Sequence, residues 1–152
     1  MIVRKALVGS MMGMIVVALA VLAAGCGSSD SEESLTKAEF VKQANQICKK
    51  SEKERSEIIS EVVQQADPNG NLQAQQEDAL EKALPTYEDA ARKIDELGAP
   101  EGSEDTVDAI VEAMEEASEK VRANLQTAAV SNVPFNKANE LTESYGLNAC
   151  TI

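Results

Sequence analysis

The sequence predicts an all-α protein: an antiparallel up-down-up-down four-helix bundle of three long helices and one short one, closed by one disulfide and preceded by a signal peptide and a tether. Three observations predict it. Apolar residues recur at three- and four-residue steps in successive segments, and no stretch sustains the alternation of a strand. Cap and turn residues separate those segments. Two cysteines, Cys48 and Cys150, stand far apart within the helical part.

Thr36-Lys37-Ala38-Glu39 opens the first helix as a capping box. The Thr36 hydroxyl is placed to accept from the backbone N–H of Glu39, whose carboxylate reaches back to the cap. Leu35 and Phe40 occupy the positions of a hydrophobic staple. The stripe runs Phe40, Ala44, Ile47, Cys48, Ser51, Ile58 and Val62, and Asp67-Pro68-Asn69-Gly70 ends it. A second helix is expected from about Leu72 to Leu97, with the stripe Leu80, Ala83, Leu84, Tyr87, Ala91 and Ile94. Glu88–Arg92 and Asp89–Lys93 have the spacing of stabilising ion pairs along it. Pro85 lacks a backbone donor and is expected to kink this helix or split it. Gly98 and Pro100 stop it.

A third helix from near Ser103 to about Ala128 carries Val107, Ile110, Val111, Met114, Ala117, Val121 and Leu125. Ser131-Asn132-Val133-Pro134 opens a short fourth helix with Phe135, Ala138, Leu141 and Tyr145 on one side, and Gly146 closes it. Tyr87, Tyr145 and Met114 lie on apolar stripes and are expected in the core.

The N-terminus carries different information. Arg4 and Lys5 precede an uncharged stretch from Ala6 to Ser29, which ends its most apolar part at Leu22-Ala23-Ala24-Gly25-Cys26. This is signal-peptide anatomy. A Cys directly after Ala-Ala-Gly marks a lipoprotein processing site, although the place three before the Cys holds Ala23, with Leu22 one further out. The alternatives are an uncleaved span, since Ala6 to Gly25 is long enough to cross a bilayer, and ordinary secretion. The expected organisation is 1–25 signal peptide, 26–35 lipidated Cys26 and flexible tether, and 36–152 helical domain. Acyl chains on Cys26 are the covalent lipid and membrane attachment, because two chains anchor stably where one does not. The expected location is the outer face of the cell membrane. No other cofactor is expected.

With Cys26 acylated, Cys48 and Cys150 remain, and in an exported protein that pair is most simply a disulfide; two free thiols are the alternative. A bundle favours the link. From the top of the first helix, Cys48 lies roughly 27 Å down, a depth that a descending fourth helix and an extended tail reach together.

Composition removes more functions than it suggests. The formal charge is −12, and it becomes more negative once Arg4 and Lys5 are cleaved, so nucleic acid is not an expected partner. Histidine is absent, which removes His-based triads, the usual zinc sites and the Glu-x-x-His iron motif. With no Trp and 3% aromatic residues, an aromatic-lined sugar site is not expected. No Ser or Lys is spaced with a base as an activated nucleophile, and no enzyme is expected.

The densest polar feature is on the third helix. Asp108, Glu112, Glu115, Glu116 and Glu119 form a ridge to which a basic envelope protein or peptide, or divalent cations, would be drawn; the plainer reading is a solvated face. Asp67-x-Asn69-x-Asn71 with Asp78 faintly echoes a calcium loop, but Leu72 and Asp78 stand where an EF-hand needs Gly and Glu.

The pattern resembles a group of small actinobacterial lipoproteins. The residues that carry this are Leu22-Ala23-Ala24-Gly25-Cys26, Leu35-Thr36-Lys37-Ala38-Glu39-Phe40 leading to Gln46-Ile47-Cys48, and Tyr145-Gly146-Leu147-Asn148-Ala149-Cys150. The resemblance implies an exported helical domain with a Cys48–Cys150 link and no established activity. The sequence therefore leads to an envelope protein-interaction module that is not an enzyme, with a small-ligand or divalent-cation binding protein as the alternative.

Overall fold

In a computed structural model the described residues are 34–152. The expected signal peptide, Cys26 and the tether up to residue 33 lie outside the described residues. The described part is all-helical: α1 (Lys37–Gln65), α2 (Leu72–Asp95), α3 (Glu104–Ala123), α4 (Leu125–Ala128) and α5 (Asn136–Tyr145), with 3₁₀ turns at Val133–Phe135 and Asn148–Cys150. Glu32–Ile152 is one compact unit, and its core is built from residues of all three long helices, α5 and the C-terminal tail. No helix among the described residues is long and apolar enough to cross a membrane.

The α1 start follows its capping box. The Glu39 N–H donates to the Thr36 hydroxyl at 3.3 Å, and the Thr36 N–H donates to the Glu39 carboxylate at 3.0 Å. Phe40, Ala44, Cys48 and Ser51 then face the core. The 67–70 turn uses its own side chain: Asp67 Oδ1 accepts from the Asn69 N–H at 2.9 Å. Asn71 Oδ1 caps α2 by accepting from Gln73 and Ala74. The Asp67 and Asn71 oxygens of the faint calcium-loop echo thus accept from local backbone, and Asp78 pairs with Lys82 at 2.8 Å.

Helix α2 passes Pro85 as one helix, so the expected split does not occur. Pro85 is on an exposed face. The turn around it is held from outside, because the Ser51 hydroxyl of α1 donates to the Thr86 carbonyl at 2.7 Å. Of the two expected ion pairs, Asp89–Lys93 forms. Glu88 does not meet Arg92. It reaches across to α3 and accepts from Arg122 through both oxygens, at 2.9 and 2.7 Å, while Arg92 pairs with Asp89 and Glu96 on its own helix.

The third helix is shorter than its periodicity predicts. It ends at Ala123, where Asn124 leaves helical geometry (φ −152°, ψ 75°) and restarts the chain by capping α4, accepting from the Thr127 N–H at 3.0 Å. Asn competes for backbone in this way, and an apolar stripe alone does not register it. Gly146 closes α5 at φ 98°, with the Leu147 N–H donating to the Thr142 carbonyl at 2.7 Å. This left-handed cap turns the chain back.

The Cys48–Cys150 disulfide is formed, with Cα atoms 5.0 Å apart. The tail does not reach it by extending downward as expected. After Gly146 it reverses, coils through the Asn148–Cys150 turn, and runs back along α5 to Ile152. There the Ile152 N–H donates to Asn139 Oδ1 and the Asn139 amide donates to the Ile152 carbonyl, at 3.0 and 2.9 Å.

Candidate functional site

The five large apolar residues that stay exposed among the described residues are Ile59, Val63, Leu72, Val130 and Val133, and the first three line one groove. The groove holds about 500 Å³ and lies between the second half of α1 and the first half of α2, with Ala128, Phe135 and Ile152 closing one side. Single exposed apolar residues need no explanation, but a clustered set rimmed by polar groups does.

Helix lengths explain why the groove exists. At 1.5 Å per residue, α1 is about 43 Å long and α5 about 15 Å. Tyr145, at the end of α5, stacks edge-on against Phe40 near the start of α1, with ring centres 6.0 Å apart. Phe135, before α5 begins, stacks edge-on against Tyr87 at 5.3 Å. The fourth helix therefore spans only the first half of α1. The break at Asn124 and the short α4 bring the chain back toward the middle of the molecule. The tip of the α1–α2 hairpin projects beyond the fully packed core with its inner face half covered.

The sequence carried a signal for this that the single-stripe reading passed over. Ile58-Ile59 and Val62-Val63 are adjacent apolar pairs one turn apart. Val62 is buried and Ile58 half-buried, as the stripe requires. The second member of each pair extends the apolar surface sideways. Arg55, Ile59 and Val63 follow one another at four-residue steps and share one face. That face is a groove wall.

Two polar groups in this wall stand out. Tyr87 is 4% exposed, and its hydroxyl is buried with no hydrogen-bond partner. Burial pushes its ionisation above the ordinary tyrosine range, partly opposed by the nearby Arg55 guanidinium. Arg55 is half-buried and makes no ion pair or hydrogen bond among the described residues. A buried hydroxyl without a partner costs about 1–3 kcal/mol. Next to the ring, a void of about 10 Å³ is lined by Arg55, Tyr87 and Thr151 among others, and this is at the lower limit of what one water requires. Tyr87 and Tyr145 are both buried as expected, and both hydroxyls lack partners. Only Tyr87 lines the groove.

The acidic ridge of α3 is elsewhere. Asp108, Glu112, Glu115 and Glu119 are exposed, whereas Glu116 is half-buried. The Lys137 ammonium at 3.3 Å, with Lys120 at 3.5 Å, holds the Glu116 carboxyl below its ordinary range. Among the described residues no cluster of His, Cys, Asp or Glu has the geometry to hold a metal ion.

No protein-family model, curated protein or solved structure matches this chain.

Proposed function

We propose that the chain is an exported lipoprotein, cleaved before Cys26, acylated on that sulfur and held on the outer face of the cell membrane, whose helical domain binds a small, mostly apolar molecule in the α1–α2 groove. We place it among the actinobacterial lipoproteins it resembles. The observation that carries the binding reading is that three of the five large exposed apolar side chains of the described residues, Ile59, Val63 and Leu72, line one groove. Its volume of about 500 Å³ is within the range of small-molecule sites, about 300–1,000 Å³. At about 30 Å³ per water-sized group, this takes a single chain of roughly seventeen non-hydrogen atoms. The small-ligand alternative thereby overtakes the protein-docking expectation.

The up-down-up-down arrangement belongs to the same proposal. It is supported by the order in which neighbours pack, α1 on α2, α2 on α3 and α3 on α5, with the disulfide returning the tail to α1. In that arrangement the groove is toward the far end of α1 from its capped start, with Ile59 roughly 33 Å along the helix. No enzymatic step is proposed.

A second reading has one observation in its favour. Asp108, Glu112, Glu115 and Glu119 are exposed on one face of α3 and make no ion pair among the described residues, which suits a basic envelope protein or peptide.

Two measurements test the main reading. Mass spectrometry of the N-terminal peptide from membranes is expected to show a diacylglyceryl group on Cys26, and Cys26→Ala is expected to leave the membrane fraction; an intact Met1 precursor overturns the anchoring. Native mass spectrometry of the released protein is expected to show a bound small molecule that Ile59→Asp removes. Identical ligand-free spectra for both overturn the binding.

A further inference from the structure

We infer that the groove's ligand is an acyl carboxylate, a single apolar chain ending in an anionic head that meets the Arg55 guanidinium and, through one bridging water, the Tyr87 hydroxyl. The inference rests on the reading of the groove as a small-molecule site and adds which end of the molecule is recognised and by what.

The groove walls are apolar along one course, from Val63 and Leu72 at the outer end through Ile59, Ala79 and Ala83 to Tyr87 and Phe135 at the inner end. Such a course suits a chain, since it offers contact area without a second polar anchor. Polarity gathers at the inner end. Arg55 belongs to the groove and also to the small void beside Tyr87. That void has room for one water at most, so a head group on Arg55 reaches the buried Tyr87 hydroxyl only through such a water. Both groups are donors: the guanidinium only donates, and the hydroxyl has a proton to give. Neither is occupied by protein, because the hydroxyl has no partner and the guanidinium no carboxylate. Glu52, one turn before Arg55, also borders the void, but it is exposed and not within ion-pair distance.

The complementary head has two acceptor oxygens and a negative charge, which is a carboxylate. A cationic head would face Arg55, and an uncharged one would leave the guanidinium unpaired in a half-buried setting. Charge-assisted hydrogen bonds are the stronger class, which is why two donors suffice. The acidic surface of the domain opposes an anion from afar, yet that field is screened within about 8 Å at physiological ionic strength, while the two donors act at short range.

The test is displacement of Nile red, an uncharged apolar dye, from the oxidised 32–152 segment, a compact unit with its own core and disulfide. Hexadecanoate and its methyl ester are compared. Hexadecanoate is expected to displace the dye at a concentration about tenfold lower, the value of one charge-assisted hydrogen bond. Arg55→Gln is expected to erase that preference. Tyr87→Phe is expected to weaken hexadecanoate several-fold and leave the ester unchanged. Equal displacement by acid and ester, or an acid preference that survives Arg55→Gln, overturns the carboxylate while leaving the groove as a small-molecule site. Failure of the dye and of both lipids to bind overturns the groove reading itself, and the head-group inference with it.

Discussion

The two ends of the α1–α2 hairpin are built on opposite terms. At the end where α1 begins, chain segments distant in sequence are cross-linked: Cys48 to Cys150, Phe40 to Tyr145, and Asn45 to both Gly146 and Ala149. At the other end, Ile59, Val63 and Leu72 meet only part of a neighbour. The same two helices supply both ends, so the difference is not one of composition. It comes from how far α5 and the tail reach. Where they cover α1, the side chain of Asn45 and the backbone groups it meets are paired, and the buried Tyr145 hydroxyl is the exception. Where they do not, apolar surface stays open and two donors are left unpaired. The closed end fixes the fold, which frees the open end to be shaped by something other than stability.

The largest test of this contrast is the disulfide. Cys48→Ser with Cys150→Ser opens a loop with a sequence separation of 102. The loss is expected to be about 2–5 kcal/mol, read as a lower midpoint in urea unfolding. A midpoint that does not move breaks the claim that the closed end carries the fold. Asn45→Ala comes next. Its amide donates to the Gly146 carbonyl at 3.0 Å and its oxygen accepts from the Ala149 N–H at 2.8 Å. Leaving those groups unpaired is expected to cost about 1–3 kcal/mol, a large effect for a half-buried residue far from the groove.

Thr36→Ala is expected to cost about 1 kcal/mol through the lost N-cap, and it sharpens the same contrast by its pH dependence. The hydrogen bond from the Thr36 hydroxyl, followed by that from its N–H, holds the Glu39 carboxyl below its ordinary range. A carboxyl lowered on folding contributes stability that is present above its unfolded value and lost as pH falls through the folded one. The stability gap between native protein and Thr36→Ala is therefore expected to narrow on acidification below about pH 4.3. A gap that is constant down to pH 2 removes Glu39 from the cap.

The closed end was largely legible in the sequence, and the open end was not. Thr36, Glu39, Gly146, Cys48 and Cys150 act through local chemistry or through a covalent bond, and both leave marks at fixed spacings. The stripes named much of the core because burial imposes helical period, but they left out Thr142 and Leu147, which are fully buried. Asn124 was missed because periodicity continues past it through Leu125, while the break comes from a side-chain cap that competes with the helix. The reversal at Gly146 was read as a stop but not as a turn back, since direction after a helix depends on what the chain packs against. The groove was missed for the same reason. It is defined by where α5 ends relative to α1, a relation between segments about eighty residues apart. The acidic ridge was legible as a charge pattern, but the capture of Glu116 by Lys137 of α5 was not.

The smallest expected change in stability is the most diagnostic for the open end. Val63 is 64% exposed and Leu72 is 68% exposed, so replacing both with Ser removes little buried area and is expected to alter stability within about 0.5 kcal/mol. If these residues only plugged a loosely packed hairpin tip, dye binding and stability would fall together. If the surface exists for a ligand, the two readouts separate: the urea midpoint holds while Nile red affinity drops several-fold. Val130→Ser supplies the control, because Val130 is as exposed but does not line the groove. It is expected to leave both readouts where they were. A parallel loss in both variants would mean that the dye reports general stickiness, and the open end would then be merely unfinished packing. Separation confined to Val63 and Leu72 would show that its apolar walls are arranged for occupancy, at a place the fold does not need them.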